Sequence, residues 1–597
     1  MPARIIETNE SPLNPIEVDG ITVDLIENAL KNAREEMDAL VSRTALSPGI
    51  REQGDCFPMI ANREGKMVVG QFGSFIHGFT EAYDEEIEEG DIILTNDPYM
   101  CNAAVSHLPD WMVLKPVFRD GRHIAWSAMF GHMSDNGGMV PGSIPTEATT
   151  IFQEGIRIPP IKLYKKGELQ SDVLELILHN VRTSQWNRFD LNALVAACNT
   201  AAKRCNEIAD RFGDDIFCST MKIMLQRNYD AMKHIISMFI PEEPREFSDY
   251  ICDDGMGMGP YKIHCKMWRE GEKAIFDFDG TDPQAQSSVN FYLNEDMFKM
   301  FFGSFTINVV DPQIVFNDGF YDLVDVRIFD VLGALLGMGA PGEMLNAAGF
   351  SDSPHLFFSG YDDKGEWFQL FQIGFGGVPG RPIGDGPDGH SLWPSFTNVP
   401  NEFVEAYFPL RVEKYEFIVD SGGAGLHRGG NGLSVAYRFL VDGHIGIHDD
   451  RWLTYPWGVN GGKPGMRSTK RLVRVDGSEE YIPAKCEDVK VQKGDLLYFN
   501  TWGGGGWGDP LQRDPDIVVS DVSKKLVSVE GARRYGVVIN DDLSLNQKET
   551  ESLRAEMSKD TVADEMFNFG GTIEEIKSKS LEETHLEAPV SPTFLNQ

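Results

Sequence analysis

The chain has 597 residues, with 91 Asp or Glu against 54 Lys or Arg, and its formal net charge at pH 7 is −37. A chain this acidic argues against nucleic acid and anionic membrane surfaces as partners, because both require a basic face. Hydrophobic residues make up 42% and charged residues 24%, which is typical of a globular protein of two to four domains.

The sequence contains no run of 18 apolar residues, so we expect no membrane span. The first residues, Met1–Arg4, are not followed by the apolar core of a signal peptide. We therefore expect a cytoplasmic protein. The eight cysteines form no C-x-x-C pair, and we expect buried core thiols, including Cys198 and Cys205 on one helix face. Cys101 lies in the loop between Asp97 and His107, and the alternative for this residue is that it approaches the site.

The N-terminal part is predicted to mix helices and strands. Apolar residues recur at helical spacing over residues 22–43, which predicts an amphipathic helix. Strands are predicted at 58–61 and 67–69, a helix at 74–87, and a buried strand at 92–95.

Two histidines and a carboxylate flank a predicted β-hairpin with strands at 111–118 and 124–130. His107 and Asp110 enter the first strand, and His132 leaves the second. Because a hairpin brings its open ends together, we expect these three side chains to converge. Two neutral imidazoles and a carboxylate, with coordination positions left open, are typical of a Zn, Mn or Fe(II) site. The alternative is a structural cluster held by hydrogen bonds.

The rest of the chain divides into a helical layer, a β-rich region and a tail. Helices are predicted at 172–182, 191–212 and 215–238. From residue 241, short runs of period two and frequent glycines predict strands up to about residue 512, with an embedded helix at 294–307.

We therefore expect a mixed α and β fold (α+β) in three parts. These are an N-terminal α/β portion at 1–240 that contains the metal-site stretch 91–160, a β-rich portion at 241–512, and a helical segment with a polar tail at 513–597. The tail is too polar for a core of its own and could wrap a neighbouring subunit.

Glycine clusters punctuate the β-rich region: Gly339–Glu343, Gly422–Gly425, Gly429–Gly430, Gly461–Gly462 and Gly503–Gly506. None reads G-x-x-x-x-G-K followed by Ser or Thr, and none joins a strand to a helix with an acidic residue at the required distance. We therefore predict tight turns rather than phosphate-binding loops.

A second His/Asp group comprises His444, His448, Asp449 and Asp450. Neighbouring glycines and β-branched residues favour a strand, on which residues i and i+4 lie about 13 Å apart. We therefore do not expect the two histidines to share a ligand.

Short motifs follow one another along roughly residues 20–540. They are Asn96–Tyr99, His107–Asp110, Gly131–His132, Pro141–Ser143, Ile151–Gly155, Ile158–Lys162, Asp279–Pro283, Tyr407–Glu413, Asp420–Gly425, Trp457–Gly458, Gly461–Gly465 and Gly503–Asp509. With these motifs the chain resembles the hydantoinase B/oxoprolinase family.

The resemblance carries expectations about activity and partners. Members of this family work with an ATP-binding hydantoinase A-type subunit, and the pair hydrolyses cyclic amides or carboxylates ketones at the expense of ATP. The resemblance therefore implies a higher-order hetero-oligomer, ATP bound by the partner, and a small ketone or cyclic amide as substrate.

The resemblance also implies roles for individual residues. In the carboxylase branch, the H-x-x-D pair and a later histidine hold a metal, which here gives His107, Asp110 and His132 as ligands of Zn or Mn. The segment Ile50–Cys56 resembles the family's approach to its active site. Glu52 and Asp55 are therefore candidates for acid/base or substrate contacts, with a solvated loop as the alternative. Apart from the resemblance, Asp135 or Glu52 is the candidate base, provided that it lies within hydrogen-bond distance of the substrate.

Two departures from the hydrolase pattern favour the carboxylase branch. The loop Met100–Ser106 is longer and less glycine-rich, and Met133 stands where hydrolases often carry a second histidine. An apolar wall that would suit an aromatic ketone is predicted from Trp111, Met129, Phe130, Met133 and Met139. The alternative is that these side chains belong to the core, where such residues occur more often.

We therefore expect the chain to be the metal-containing subunit of an ATP-dependent ketone carboxylase similar to the acetophenone carboxylase group. The alternative is a subunit of an ATP-dependent hydantoinase, oxoprolinase or lactamase. A non-catalytic scaffold for such a complex is the third hypothesis.

Overall fold

The computed structural model describes residues 4–9, 11–70, 75–101, 105–290, 317–318, 324–325, 334–335, 338, 354–390, 396–559 and 566–594. The chain forms two compact units. The first comprises Met1–Pro244, Lys266–Phe278 and Asn290–Phe329, and the second comprises Arg245–Cys265, Asp279–Val289 and Asp330–Gln597. Helices and several sheets occur together, which confirms the predicted mixed α and β class.

The N-terminal 244 residues of the first unit contain β1 (Arg4–Ile5), α1 (Gly20–Thr44), α2 (Pro48–Arg51), β2 (Cys56–Ala61), β3 (Met67–Val69), α3 (Phe75–Ala82), β4 (Glu86–Ile87), β5 (Ile92–Thr95), β6 (Asp110–Arg119), β7 (Arg122–His132), β8 (Ile161–Lys165), β9 (Glu168–Leu169), α4 (Ser171–His179), α5 (Ser184–Phe212) and α6 (Asp214–Phe239).

Within the described residues, seven of these strands form one antiparallel sheet in the order β3-β2-β7-β6-β5-β8-β9. Its longest pair is the predicted hairpin, β6 and β7. Asp120 and Gly121 form the turn with φ angles of 47° and 73°, the left-handed conformation that two-residue hairpins favour. The strands extend beyond the predicted ones, so that Asp110 and His132 become their terminal residues.

Helices α1 and α5 cover this sheet. The apolar stripe of α1 is fully buried: Val23, Ile26, Leu30, Ala33, Met37 and Val41. Burial of each larger side chain contributes about 1.5–3 kcal/mol, which fixes the helix on its neighbours. Asp19 caps the helix by accepting the N–H of Thr22 at 3.0 Å.

One helix prediction is wrong at its C-terminal end. The predicted helix 74–87 is a helix only over Phe75–Ala82. Glu86 and Ile87 instead form a parallel strand with Arg4 and Ile5, so pairing with the N-terminal arm overrides the local pattern.

Four strands follow α6: β10 (Arg245–Ile251), β11 (Tyr261–Glu270), β12 (Lys273–Asp277) and β13 (Val324–Asp325). In the first unit, β11 pairs antiparallel with β12 from Lys266 to Glu270. The predicted helix at 294–307 and the glycine cluster at 339–343 lie outside the described residues.

The second unit continues with β14 (His355–Tyr361), β15 (Trp367–Ile373), α7 (Asn401–Tyr407), β16 (Leu410–Phe417), β17 (Leu433–Phe439), β18 (Gly443–His448), β19 (Gly458–Val459), β20 (Thr469–Val473), β21 (Glu479–Tyr481), β22 (Lys485–Val491), β23 (Leu496–Asn500), α8 (Pro515–Ser523), α9 (Gln547–Met557), β24 (Phe567–Asn568), α10 (Ile573–Ser578) and α11 (Ser580–Thr584). Within the described residues its main sheets have the orders β16-β17-β23-β20-β21 and β15-β14-β18-β22.

The glycine clusters of the second unit pack backbone against backbone. The predicted tight turn is confirmed at Gly461–Gly462, where the N–H of Gly462 donates to Val459 O at 2.9 Å, but other glycines of these clusters are required by close backbone approach instead. A Cβ added at Gly429 would lie 1.9 Å from the carbonyl oxygen of Gly504, and one at Gly423 would lie 2.1 Å from that of Lys463. No side chain fits at such separations, so glycine is required by close approach.

These glycine amides are also occupied. The N–H of Gly423 donates to Gly504 O at 2.8 Å, that of Gly504 to Gly430 O at 2.9 Å, and that of Gly506 to Lys463 O at 2.9 Å. Because these N–H groups already donate to backbone carbonyls, they are not available to cradle a phosphate.

The described part of the polar tail packs on its own chain. β24 pairs with β19, and Ile576 lies in an apolar cluster with Trp452 and Leu453. Glu583 accepts hydrogen bonds from Arg467 and Tyr455. Across the described residues, no helix is long and apolar enough to cross a membrane.

Candidate metal centre

The open end of the hairpin carries the three predicted ligands. Asp110, the first residue of β6, pairs directly with His132, the last residue of β7. A turn precedes β6, in which the N–H of Asp110 donates to the carbonyl of His107 at 3.3 Å. The hairpin register and this turn together bring His107 to the same end of the sheet.

The three ligand atoms form a nearly equilateral triangle. Asp110 Oδ1 lies 3.1 Å from His107 Nε2 and 3.2 Å from His132 Nδ1. The two ring nitrogens are 3.2 Å apart, and the rings are nearly perpendicular at 82°. The predicted convergence of His107, Asp110 and His132 is therefore confirmed as a geometry.

This triangle fits a divalent cation. A cation that binds nitrogen and oxygen at about 2.1 Å keeps its ligand atoms about 3.0–3.4 Å apart. Hydrogen bonds alone explain the triangle less well, because an imidazole nitrogen carries at most one proton, directed in the ring plane. Among the described residues, no other His, Cys, Asp or Glu side chains form such a group of three.

The electrostatics of the site follow from burial and close contact. Burial alone would lower the pKa of His107, but the Asp110 carboxylate outweighs it and raises that pKa to about 9. Burial alone would raise the pKa of Asp110, but His107 and His132 hold it well below its usual value. A cation entering the site must therefore displace a proton from His107.

Asp55 lies at the edge of the triangle. It immediately precedes β2, whose first residue Cys56 pairs with Gly131. The carbonyl of Asp55 accepts the N–H of His132 at 3.0 Å, and its carboxylate Oδ2 lies 3.8 Å from His132 Nδ1. Burial raises the pKa of Asp55 to about 6, with His132 opposing and Asp110 reinforcing the shift. Asp55 can therefore exchange a proton close to neutral pH.

The other two predicted catalytic carboxylates have different surroundings. Glu52 follows α2, and its carboxylate forms an ion pair with Arg51 Nε at 3.1 Å. Asp135 is fully buried, its Oδ1 pairs with Arg182 Nη1 at 2.7 Å, and its Oδ2 accepts the N–H of Gly137 at 2.9 Å. Asp135 thus ties the loop after β7 to the segment before α5, which favours Asp55 as the proton acceptor.

Glu154 is a residue of the site that the sequence did not single out. Its carboxylate accepts the backbone N–H of Leu108, next to His107, and burial raises its pKa against the effect of His107. The motif Ile151–Gly155 contains Glu154, but no local pattern shows that this loop returns to the hairpin end.

Comparison with known proteins identifies the family of this chain. A family model described as hydantoinase B/oxoprolinase matches residues 19–329 and 326–510. The chain belongs to the hydantoinase B/oxoprolinase family. It is 28% identical to the caprolactamase subunit beta of Pseudomonas jessenii over 90% of this chain and 99% of that one. The crystal structure of the ATP-dependent caprolactamase from the same organism superposes with a TM-score of 0.78 at 26% identity, over 90% of this chain and 100% of that chain.

Two further relatives are named for activities other than that of a caprolactamase. The acetophenone carboxylase delta subunit of Aromatoleum aromaticum is 26% identical over 87% of this chain and 86% of its own length. The 5-oxoprolinase 1 of Arabidopsis thaliana is 26% identical over 83% of this chain, but the match covers only 42% of that protein. The family therefore includes ATP-dependent carboxylases and cyclic amide hydrolases.

The predicted apolar wall is wrong for most of its members. Trp111, Met129 and Met133 are fully buried in the core between the sheet and its helices. Phe130 is buried against Phe57, with ring centroids 4.8 Å apart. These side chains fill the core, so they give no support for an aromatic substrate.

The second His/Asp group forms no metal site in the described structure. His444 and His448 lie on β18, as predicted. His448 Nε2 contacts Glu487 Oε1 at 2.8 Å, whereas His444 pairs with Asp488. The two histidines thus have separate partners.

Proposed function

We propose that this chain is the metal-binding subunit of an ATP-dependent enzyme that hydrolyses a small cyclic amide. The observation that carries the proposal is the triangle of His107, Asp110 and His132 with the Asp55 carboxylate beside it. A cation site next to a carboxyl group of pKa about 6 suits the addition of water to a carbonyl.

The ligands, Asp55 and Glu154 have different roles in this hydrolysis. A divalent cation, Zn or Mn, held by His107, Asp110 and His132 would supply a Lewis acid for a carbonyl oxygen. Asp55 takes the proton of the attacking water and returns it to the leaving nitrogen as the ring opens. Glu154 accepts the N–H of Leu108 and so fixes the backbone beside His107.

ATP is assigned to a separate chain. The amides of Gly423, Gly504 and Gly506 donate to backbone carbonyls, and the caprolactamase and acetophenone carboxylase relatives are named as subunits. The match covers 42% of the 5-oxoprolinase 1 of Arabidopsis thaliana, so more than half of that protein has no counterpart in this chain. We propose a hydantoinase A-type ATP-binding partner in a hetero-oligomer of higher order, in the cytoplasm.

Carboxylation of a ketone is the second candidate function. The identity to the acetophenone carboxylase delta subunit favours it, and removal of a proton from the ketone carbon would need the same cation and the same base. The apolar wall that supported it in the sequence is largely lost, because Trp111, Met129 and Met133 lie in the core and Phe130 is buried against Phe57.

The test is reconstitution with a hydantoinase A-type chain from the same organism. ATP hydrolysis is measured with a panel of lactams and hydantoins, and with ketones in the presence and absence of bicarbonate. We expect stimulation by a cyclic amide without bicarbonate, and its loss in His132→Ala. Stimulation only by a ketone together with bicarbonate would establish the second candidate, and no stimulation by either class would refute both.

A further inference from the structure

Four large apolar side chains are exposed on two loops of the first unit. Phe152 is 75% exposed, Tyr99 55%, Met100 50% and Met139 49%. Together with Arg157 they are termed here the aromatic patch. Exposed apolar side chains that occur singly need no explanation, but a group on adjoining loops indicates a binding surface.

Arg157 holds the aromatic patch together. Its guanidinium carbon lies 5.7 Å from the ring centroid of Tyr99 and 5.3 Å from that of Phe152, within the range of cation–π contact. Its Nε and Nη2 both donate to Asp97 Oδ2, at 3.2 and 2.8 Å. The other oxygen of Asp97 accepts the N–H groups of Tyr99 and Met100 at 2.9 and 3.2 Å.

The second loop is fixed equally well. Phe152 lies in a 3-10 turn, Ile151–Gln153, and the Gln153 side chain accepts the N–H of Thr150 at 3.0 Å. The carbonyl of Gln153 accepts the N–H of Met139 at 2.8 Å. The patch is thus presented by a rigid frame, so a partner that binds it loses little conformational freedom.

The patch also adjoins the metal centre. Glu154, two residues after Phe152, accepts the N–H of Leu108. Leu108 follows His107, whose side chain is the most exposed of the three ligands at 39%. A protein bound to the patch would therefore lie beside His107, the ligand of the centre that is most exposed to solvent.

We propose that the aromatic patch is the docking surface for the ATP-binding partner chain. The inference rests on the proposed function, because it assumes that ATP binds to a separate chain. The caprolactamase and acetophenone carboxylase relatives are named as subunits, which supports a surface on this chain that recruits a further chain.

The chemistry of the patch describes what it binds. Aromatic and Met side chains around an Arg are the composition of interface centres. Within the described residues, Arg157 Nη1 has no hydrogen-bond acceptor. The partner is therefore expected to present an apolar segment with a carboxylate or carbonyl oxygen for this nitrogen.

The test compares binding of a hydantoinase A-type chain from the same organism to wild type and variants, by titration calorimetry on the full chains. Phe152→Ser and Tyr99→Ser together are expected to raise the Kd about tenfold or more. Phe152→Glu, which places a charge in the interface, should do the same. Leu176→Ser is the matched control, since Leu176 is 67% exposed on α4 of the same unit and should leave the Kd within about twofold. Metal content should be equal in all the proteins.

Three results would overturn the inference. If the double variant and Phe152→Glu bind like wild type, the partner docks elsewhere, while the proposed function stands. If the isolated chain dimerises through the patch, shown by loss of the dimer in Phe152→Glu during sedimentation, the occupant is a second copy. If wild type does not bind the A-type chain at all, the two-chain function fails with the inference.

Discussion

Replacement of Asp110 by Asn tests the metal centre most directly, because the amide keeps the shape of the side chain and removes its charge. Asp110 Oδ1 is the atom common to two sides of the ligand triangle, at 3.1 and 3.2 Å. A four-ligand structural zinc site is worth about 10–16 kcal/mol, so one ligand contributes roughly 3–4 kcal/mol. Asp110→Asn should therefore weaken metal binding by a few hundredfold.

The assay is elemental analysis after dialysis against a weak chelator. Wild type should retain close to one equivalent of a divalent metal, and Asp110→Asn almost none. Asp135→Asn is the matched control, since this fully buried carboxylate pairs with Arg182 rather than with the histidines. Calorimetry in buffers of different ionisation enthalpy should also show about one proton released per cation near pH 7, because the pKa of His107 is about 9 before binding.

Equal metal content in wild type and Asp110→Asn would refute the assignment. The cluster would then be a structural node, and Asp110→Asn would lower the stability of the first unit without altering its metal. Loss of metal in Asp135→Asn as well would show that the whole loop, rather than the triangle, determines binding.

Three further predictions concern the base, the glycines and a buried histidine. Asp55→Asn should lower kcat about a hundredfold or more and leave metal content unchanged. Gly429→Ala, whose Cβ would lie 1.9 Å from Gly504 O, should cost several kcal/mol of unfolding free energy, whereas Gly384→Ala, with no atom within 4 Å of the new Cβ, should cost less than about 1 kcal/mol. Burial, and to a smaller extent Arg63, lowers the pKa of His123 to about 3 in the folded protein. In the unfolded chain its pKa is about 6.5. The neutral His123 therefore contributes its full stability above about pH 6.5, and this contribution is lost as the pH falls from about 6.5 toward about 3. Urea unfolding at pH 7 and pH 5 should show wild type losing about 2 kcal/mol more than His123→Gln, and equal losses would contradict the assignment.

The parts of the fold that sequence could predict are those with short-range causes. The helix predicted at 22–43 is observed at Gly20–Thr44 because its apolar stripe repeats every three to four residues and Asp19 caps it. The convergence of His107, Asp110 and His132 was predictable for a similar reason. A two-residue turn at Asp120 and Gly121 fixes the hairpin register, and that register places Asp110 opposite His132.

The rest depends on long-range contacts that leave no local pattern. Asp55 reaches the site because β2 pairs with β7, and Glu154 because its loop folds back to Leu108. A methionine in the core and one in a pocket have the same sequence signal, so the sequence left both alternatives open for Met129 and Met133, and only the structure shows that they are buried. The glycine clusters read as turns because glycine serves both turns and close backbone approach.

The two candidate reactions make the same first demand on the site. Hydrolysis of an amide and carboxylation of a ketone both begin at a carbonyl, and both need a Lewis acid and a base. His107, Asp110, His132 and Asp55 could serve either reaction without rearrangement. The choice between the two reactions must therefore depend on which substrate reaches His107 from solvent. Glu154 and the aromatic patch lie on the loops next to His107. Substitutions in these loops should change the reaction rather than abolish it.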